Sequence, residues 1–412
     1  MATKKNRWGK TPWKIRFRGS SGPLPEHVDF AVVGGGFSGL SAAAALARLA
    51  PKKSVVLLET ERVGNGASGR TGGMVLAETA AGDLPGLGDV LKGYRKILRE
   101  LGAGADLKMP GVWEIARGTE SMENNTVRPL KNSPIDWSDA GRVRAVGNVA
   151  GGTVDPGRVV ARLARAARKA GAQIVEEAEV LRMESGNPVR LLVMRRRNGR
   201  AIKKEVSADR VLIATNAGSL QLGGEMFASR ASVEPKLTFA IATAPLSAKQ
   251  LAEIGMASGK PFYTVDLPYL WGRKTKNGGM IFGSGLVPGW GQPARKTNPK
   301  EMLKLWQGLE DFDVRKGAPA ERLQDLEKRV RRLHPALQKI RVTHRWCGPI
   351  LITSDFLPVF CEHPRNNKVI FLSGYSGHGV AQSVYLGRWA ADILLGKRVL
   401  PNWAGRKSRT LP

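Results

Sequence analysis

The sequence predicts an α/β protein, in which a three-layer nucleotide-binding domain is interleaved with a second domain of antiparallel sheet plus helices. Three observations predict it. A β-branched strand near the start, residues 29–33, runs through a glycine-rich turn into an alanine-rich helix. A strand and helix of the same kind, residues 368–372 and 380–395, close the chain. Between them lie many short alternating strands, so the two ends build one domain and the middle builds the other. At 412 residues the chain is too long for one ordinary core, which also points to two domains.

The first unit carries the most information. Residues 29–39 read Asp-Phe-Ala-Val-Val-Gly-Gly-Gly-Phe-Ser-Gly, and the glycines fall in the pattern Gly34-x-Gly36-x-x-Gly39 between strand and helix. Gly34 permits the tight turn, Gly36 lets the backbone approach a pyrophosphate, and Gly39 lets helix 39–49 pack on the strand. The helix N-terminus then faces the anion with its partial positive charge. Residues 54–58 form a second buried strand ending in Glu59, twenty residues after Gly39, where a carboxylate accepts hydrogen bonds from adenosine ribose hydroxyls and disfavours a 2′-phosphate. A glycine-rich turn beside an unrelated surface Glu is the competing reading.

The later elements follow in order. Residues 1–26, rich in Lys and Arg and ending in a Gly-Ser-Ser-Gly-Pro turn, read as a flexible arm, and residues 64–73 as a loop beside the ligand. Asp155-Pro156 starts a helix to about Ala170, with Gly171 ending it and a strand at 173–176 following. Residues 189–206 predict a hairpin turning at Asn198-Gly199, and 211–215 a buried strand. Alternating strands fill 230–292, including 262–265 and 279–283 after a turn at Asn277-Gly278. Helices are expected over 298–310 and 319–333, the second stopping at His334-Pro335.

Composition excludes several classes. No apolar run approaches the roughly 18 residues needed to span a bilayer, and the basic N-terminus is followed by no apolar signal core. The two cysteines, Cys347 and Cys361, make no disulfide framework and show no metal-ligand spacing, so a reducing cytoplasm and no metal are expected. The formal net charge is +30, concentrated in the N-terminal arm, in 195–204, in 315–341 and in the C-terminal tail. Such a surface attracts an acidic partner, anionic lipid or RNA, but no aromatic-interleaved nucleic-acid module is present.

Four blocks together resemble the flavin-dependent amine and amino-acid oxidases of the glycine oxidase and sarcosine oxidase type, the D-amino-acid oxidase superfamily, and within it the γ-glutamylputrescine oxidase branch. They are Val32 to Glu59, Gly66-Ala67-Ser68-Gly69-Arg70-Thr71-Gly72-Gly73, Ala214-Thr215-Asn216-Ala217, and Trp346-Cys347-Gly348 through Asp355-x-x-Pro358 to Gly374-Tyr375-Ser376-Gly377-His378-Gly379-Val380. The likeness spans residues 27 to 398. It implies a Rossmann-like FAD-binding domain from 27–95, 150–222 and 345–400, a substrate domain from 96–149 and 223–344, and a basic tail over 401–412. It further implies FAD held noncovalently by Gly34, Gly36, Phe37, Ser38, Gly39 and Glu59, then Ser68, Gly69, Arg70, Thr71 and Gly72, then Val180, Ala214, Thr215 and Asn216, and finally Gly377, His378, Gly379 and Val380. Arg70 would offset pyrophosphate and ring charge, and the last helix would direct its N-terminus at the pyrimidine edge of the flavin. His378 is either a packed loop histidine or a group adding positive charge there.

The resemblance implies oxidation of a primary or secondary amine by hydride transfer to flavin N5, with hydrolysis of the imine. Tyr263, Tyr269, Trp271, Trp346 and Tyr375 are the candidates for a substrate cage. The carboxylate-binding Arg of glycine oxidases has no counterpart, because Trp346-Cys347-Gly348 continues as Pro349-Ile350-Leu351-Ile352. The oxygen-activating Lys of sarcosine oxidases is likewise absent from 279–283, leaving the electron acceptor as oxygen or another compound. Two alternatives remain: an enzyme acting on an amine modification of tRNA, and a non-catalytic flavin-binding scaffold that recruits a partner.

Overall fold

A computed structural model of the chain describes residues 8–404 except 21, 80–81, 105, 118–120, 123–124, 127, 198–199, 224–232 and 288–297. Its first sheet is built on the opening strand His27–Val33, which pairs in parallel with Val55–Leu58 on one side and with Arg200–Ile213 on the other. Gln173–Val175 extends the first side, and Asn366–Ser373 the second. Where they pair in parallel, at residues 30–33, 55–58, 211–213 and 369–371, these strands are buried on both faces, as their runs of Val, Ile and Leu require.

One face is covered by the helices Phe37–Leu49, Val90–Glu100, Pro156–Lys169 and Gly379–Leu394. The opposite face is covered by a three-stranded meander of Ala178–Glu184, Val189–Arg197 and the first half of Arg200–Ile213. That last strand is fourteen residues long, so its start belongs to the meander and its end to the parallel sheet. The result is the expected three-layer α/β domain. The expected turn at Asn198-Gly199 lies outside the described residues, but the strands flanking it pair in register from Arg197↔Arg200 to Val189↔Ala208.

The second sheet has eight strands in the order Val342–Thr353, Val233–Thr243, Met280–Val287, Trp271–Lys274, Phe262–Thr264, Val112–Arg117, Arg142–Val149 and Asp136–Ser138. Pairing is antiparallel except between Phe262–Thr264 and Val112–Arg117. The helices Pro299–Glu310 and Gly317–Leu333 pack behind it through Leu309, Leu323, Leu326, Val330 and Leu333 onto Leu237, Phe239 and Ile241. Helix Val90–Glu100 crosses the boundary expected at residue 95, and strand Val342–Thr353 crosses the one expected at 345. Apolar packing accounts for both, since Ile97 and Leu98 join the helix layer and Phe239↔Cys347 pairs inside the second sheet. Among the described residues no helix is long and apolar enough to cross a membrane.

The arm requires correction. Residues 8–26 were expected to be flexible, yet most of them are held. The Trp8 indole donates to Leu309 O at 3.0 Å and its ring meets Trp306 edge-on at 6.0 Å. Gly9 forms a bridge with Trp346, the Trp13 indole donates to Thr71 O at 3.0 Å, and Ile15 packs into the first core. Aromatic and aliphatic residues spaced along the arm bury against both domains, and the basic residues between them point outward, which is why charge alone made the segment read as free.

Candidate functional site

The loops at the carboxyl ends of the parallel strands converge on a cavity of about 800 Å³. All of the residues expected to touch the cofactor line it except Gly39 and Gly69, and all of the expected aromatic residues line it too. Gly39 and Gly69 serve packing instead. A Cβ at Gly39 would stand 2.0 Å from Gly34 O, and one at Gly69 would stand 2.1 Å from Gly64 O.

At one end of the cavity the backbone is shaped for close approach. Gly34 has φ +108°, and a Cβ there would lie 2.6 Å from Ala214 O. A Cβ at Gly36 would lie 2.9 Å from Ser68 Oγ, which accepts the Phe37 N–H at 2.9 Å. The N-cap of helix Phe37–Leu49 is Gly36, which has no side chain with which to cap it. Glu59 stands beside this turn, its Oε2 accepting from Gly35 N at 2.7 Å and its Oε1 from Glu61 N at 3.0 Å. Burial pushes the Glu59 carboxyl up to about 7 despite those two donors.

The far wall is the return segment. Tyr375 Oη is hydrogen bonded with Ser38 Oγ at 2.7 Å, joining the two glycine-rich turns. His378 is the N-cap of helix Gly379–Leu394 and its side chain does not cap it. Burial lowers the pKa of His378, whose Nδ1 pairs with Ser376 O at 3.2 Å. The N-terminus of the helix itself brings a partial positive end to this wall.

Arg70 departs from expectation in its partners. It lines the cavity, but Nε donates to Asn65 O at 2.9 Å while Nη1 is shared among Gly9 O at 3.0 Å, Trp8 O at 3.3 Å and Cys347 O at 3.3 Å. Burial lowers its pKa to about 10, far above neutrality. The guanidinium therefore pins the arm and the second sheet to the loop, and the arm that completes this clamp was missed because neither segment's sequence shows the other.

The aromatic residues wall the opposite end. Trp271 and Tyr263 are cross-strand partners. The Trp271 ring is sandwiched between two glycines, since a Cβ at Gly72 or at Gly283 would lie 2.1 Å from it. The Trp346 indole donates to Arg70 O at 2.8 Å. Strand alternation places Trp346 and Gly348 toward the cavity and sends Cys347 into the core behind the sheet, where burial pushes its thiol up to about 12. Residues 349–352 line the cavity as well and bring no cation.

Sequence reading also missed the charge of the cavity. Its acidic lining residues are Glu59, Glu61, Glu78, Glu179, Asp266 and Glu310, against Arg70 as the one Lys or Arg among the described lining residues. The whole chain has 65 Lys and Arg against 35 Asp and Glu. Apart from Glu59, no periodicity or motif marks such a reversal, because the acids come from five separate places in the sequence.

These residues fit FAD. The glycine cradle tolerates no Cβ, two helix N-termini meet one cavity without a capping side chain, and a carboxylate stands at the end of the second strand. The comparisons agree. Residues 29–393 match the model of the DAO family, described as FAD dependent oxidoreductase. The chain is 27% identical over 406 residues to gamma-glutamylputrescine oxidoreductase of Escherichia coli (strain K12), covering 89% of this chain and 84% of that one. It is 24% identical over 405 residues to glycine oxidase of Bacillus licheniformis, covering 92% and 96%. The crystal structure of glycine oxidase from Geobacillus kaustophilus superposes with a TM-score of 0.67 at 20% identity, covering 94% of this chain and all of that one.

Proposed function

The chain belongs to the DAO family of FAD-dependent oxidoreductases, and from that premise we propose that it oxidises a small primary or secondary amine. Bound FAD would supply a two-electron acceptor for the hydride on the carbon beside the nitrogen, and the imine left when the nitrogen lone pair completes a C=N bond would be hydrolysed by water to a carbonyl compound and the remaining amine or ammonia. Gly34, Gly36 and the N-terminus of helix Phe37–Leu49 would hold the pyrophosphate, and Glu59 would take the ribose hydroxyls. The N-terminus of helix Gly379–Leu394 would stabilise negative charge on the ring. Trp271, Tyr263, Tyr269 and Trp346 exclude water and orient the alkyl part of the substrate.

The observation that carries the amine reading is the composition of the cavity. A carboxylate substrate needs a cationic anchor, and the single lining Arg already donates to four backbone carbonyls. An amine needs none. Neither cysteine is in a disulfide, which suits the cytoplasm. The test is an anaerobic screen of amines and amino acids for bleaching of the bound flavin, followed by admission of air. Bleaching by amines supports the reading, and recovery of colour in air identifies oxygen as acceptor. Bleaching by simple α-amino acids alone would overturn it.

A further inference from the structure

We propose that Arg329 is a positioning residue of the cavity: with Arg117 and Asp139 it clamps loop 265–269, so that Tyr269 walls the substrate end in one fixed place. The inference rests on the amine reading and deepens it. The loop joins strand Phe262–Thr264 to strand Trp271–Lys274, and Val265, Asp266, Leu267 and Tyr269 line the cavity. Its other side meets solvent, with Leu267 65% exposed, so this single stretch of chain separates the cavity from water. The two strands pair at Phe262↔Gly272 and Tyr263↔Trp271, and the Thr264 N–H donates to Leu270 O at 2.8 Å. The ladder ends there, and the carbonyls of the loop need other donors.

Those donors are side chains from three distant elements. Arg329, on helix Gly317–Leu333, donates from Nη2 to Pro268 O at 2.6 Å and from Nη1 to Tyr269 O at 3.0 Å. Ser284, on strand Met280–Val287, donates to Tyr269 O and accepts from Arg329 Nη1 at 2.7 Å. Arg117, at the end of strand Val112–Arg117, gives Nη2 to Pro268 O at 2.8 Å and its backbone N–H to Asp266 Oδ2 at 2.6 Å. Asp139 stands between the two guanidiniums, its Oδ2 2.7 Å from Arg329 Nη2 and also bonded by Arg117 Nη2. Arg117 Nη1 pairs with Asp266 Oδ1, so two arginines and two aspartates close a neutral network around the loop.

The side chains of Arg117, Asp139 and Arg329 are only 7%, 8% and 14% exposed. Burial would raise the Asp139 carboxyl, but hydrogen bonds and charge from Arg329 and Arg117 outweigh it and hold the pKa below the ordinary value, so Asp139 stays ionised. Desolvating four charged groups yields little net stability, and what two rigid guanidinium forks supply instead is direction. A lysine at 329 has one nitrogen and cannot reach Asp139, Pro268 O and Tyr269 O together. The direction reaches the site through packing, because Tyr269 lies in one cluster with Leu76, Val112, Tyr263 and Trp271. Misplacing a wall that orients the reacting atoms by about 1 Å costs on the order of 100-fold in rate. Arg329 touches neither cavity nor substrate and acts through the loop.

The experiment uses FAD-loaded wild type, Arg329→Lys, and Ser284→Ala, the last removing one donor from Tyr269 O without touching a charge. The probes are n-alkylamines of four to eight carbons together with the amine that bleaches fastest in the anaerobic screen. Two quantities are read: the bleaching rate per bound flavin at saturating amine, and amide hydrogen exchange over residues 264–271. Arg329→Lys should slow the limiting rate about tenfold or more and Ser284→Ala about threefold, while the amine concentration at half-maximal rate and the flavin spectrum stay within about twofold. Exchange over 264–271 should quicken in both variants. A merely structural role would lower melting temperature and flavin content but leave the rate per bound flavin unchanged, and that result, or unchanged exchange over 264–271, overturns the proposal. Faster exchange in both variants, with a wild-type flavin that no amine bleaches, keeps the clamp on the cavity wall and ends the amine-oxidation reading.

Discussion

At the scale of single residues the site is controlled by what is absent at Gly36 and by what is buried at Glu59. A Cβ at Gly36 would press on Ser68 Oγ at 2.9 Å in the space the pyrophosphate requires. Gly36→Val should give a folded but colourless protein, with far-UV circular dichroism unchanged and the flavin lost on gel filtration. A yellow, fully loaded variant would show that the phosphates bind elsewhere. Glu59 makes a pH prediction. Its carboxyl is near 7 in the folded chain against an ordinary 4.5, so its contribution to stability is full below about pH 4.5 and is lost as pH rises through 7. Ribose hydroxyls donating to the carboxylate would reverse that preference. Melting temperature of FAD-free protein should fall between pH 5.5 and 8, FAD affinity should rise over the same range, and Glu59→Gln should flatten both trends while weakening FAD by about 1–3 kcal/mol.

At the scale of elements, what the sequence revealed and what it hid divide along contact distance. The opening strand, turn and helix were legible because strand propensity, turn sterics and helix packing act between residues a few positions apart, and Glu59 followed from the length of one βα unit. Asp155 was legible as a helix start for the same reason, and its side chain does accept the Arg158 N–H at 2.9 Å. The arm and the acidic side chains around Tyr263 were not legible. Arg70 reaches carbonyls 61, 62 and 277 positions away, and Tyr263 meets Glu114 and Glu78 across 149 and 185 positions. No local pattern encodes such meetings. The arm makes its own prediction. Deleting residues 1–19 removes two acceptors from a buried guanidinium and the Trp8 O acceptor from Cys347 N, at 2.9 Å, so the FAD-loaded protein should lose about 2–4 kcal/mol of stability. Loop 64–73 should also become open to proteases and flavin release should quicken. Unchanged melting and flavin retention would show that the arm merely rests on the surface.

At the scale of the whole molecule, a strongly cationic surface encloses an acidic cavity, and the two fields act over different distances. The net charge of +30 repels a cationic amine while it is still in solvent, where the interaction is screened within a Debye length of about 30 Å at 0.01 M salt and about 8 Å at 0.15 M. The carboxylate of Glu78 acts only inside the cavity, at contact distance and behind low-dielectric walls, where salt screens weakly. Capture and retention therefore respond differently to ionic strength. Raising salt from 0.01 to 0.15 M should increase kcat/KM for a cationic amine severalfold, because encounter is relieved of repulsion while the bound state keeps its partners. The bleaching rate at saturating amine, which no longer involves encounter, should stay within about twofold. A kcat/KM that falls with salt would mean that the acidic mouth governs approach as well as binding, and that the basic regions at 195–204 and 315–341 lie too far from the path of the substrate to be felt.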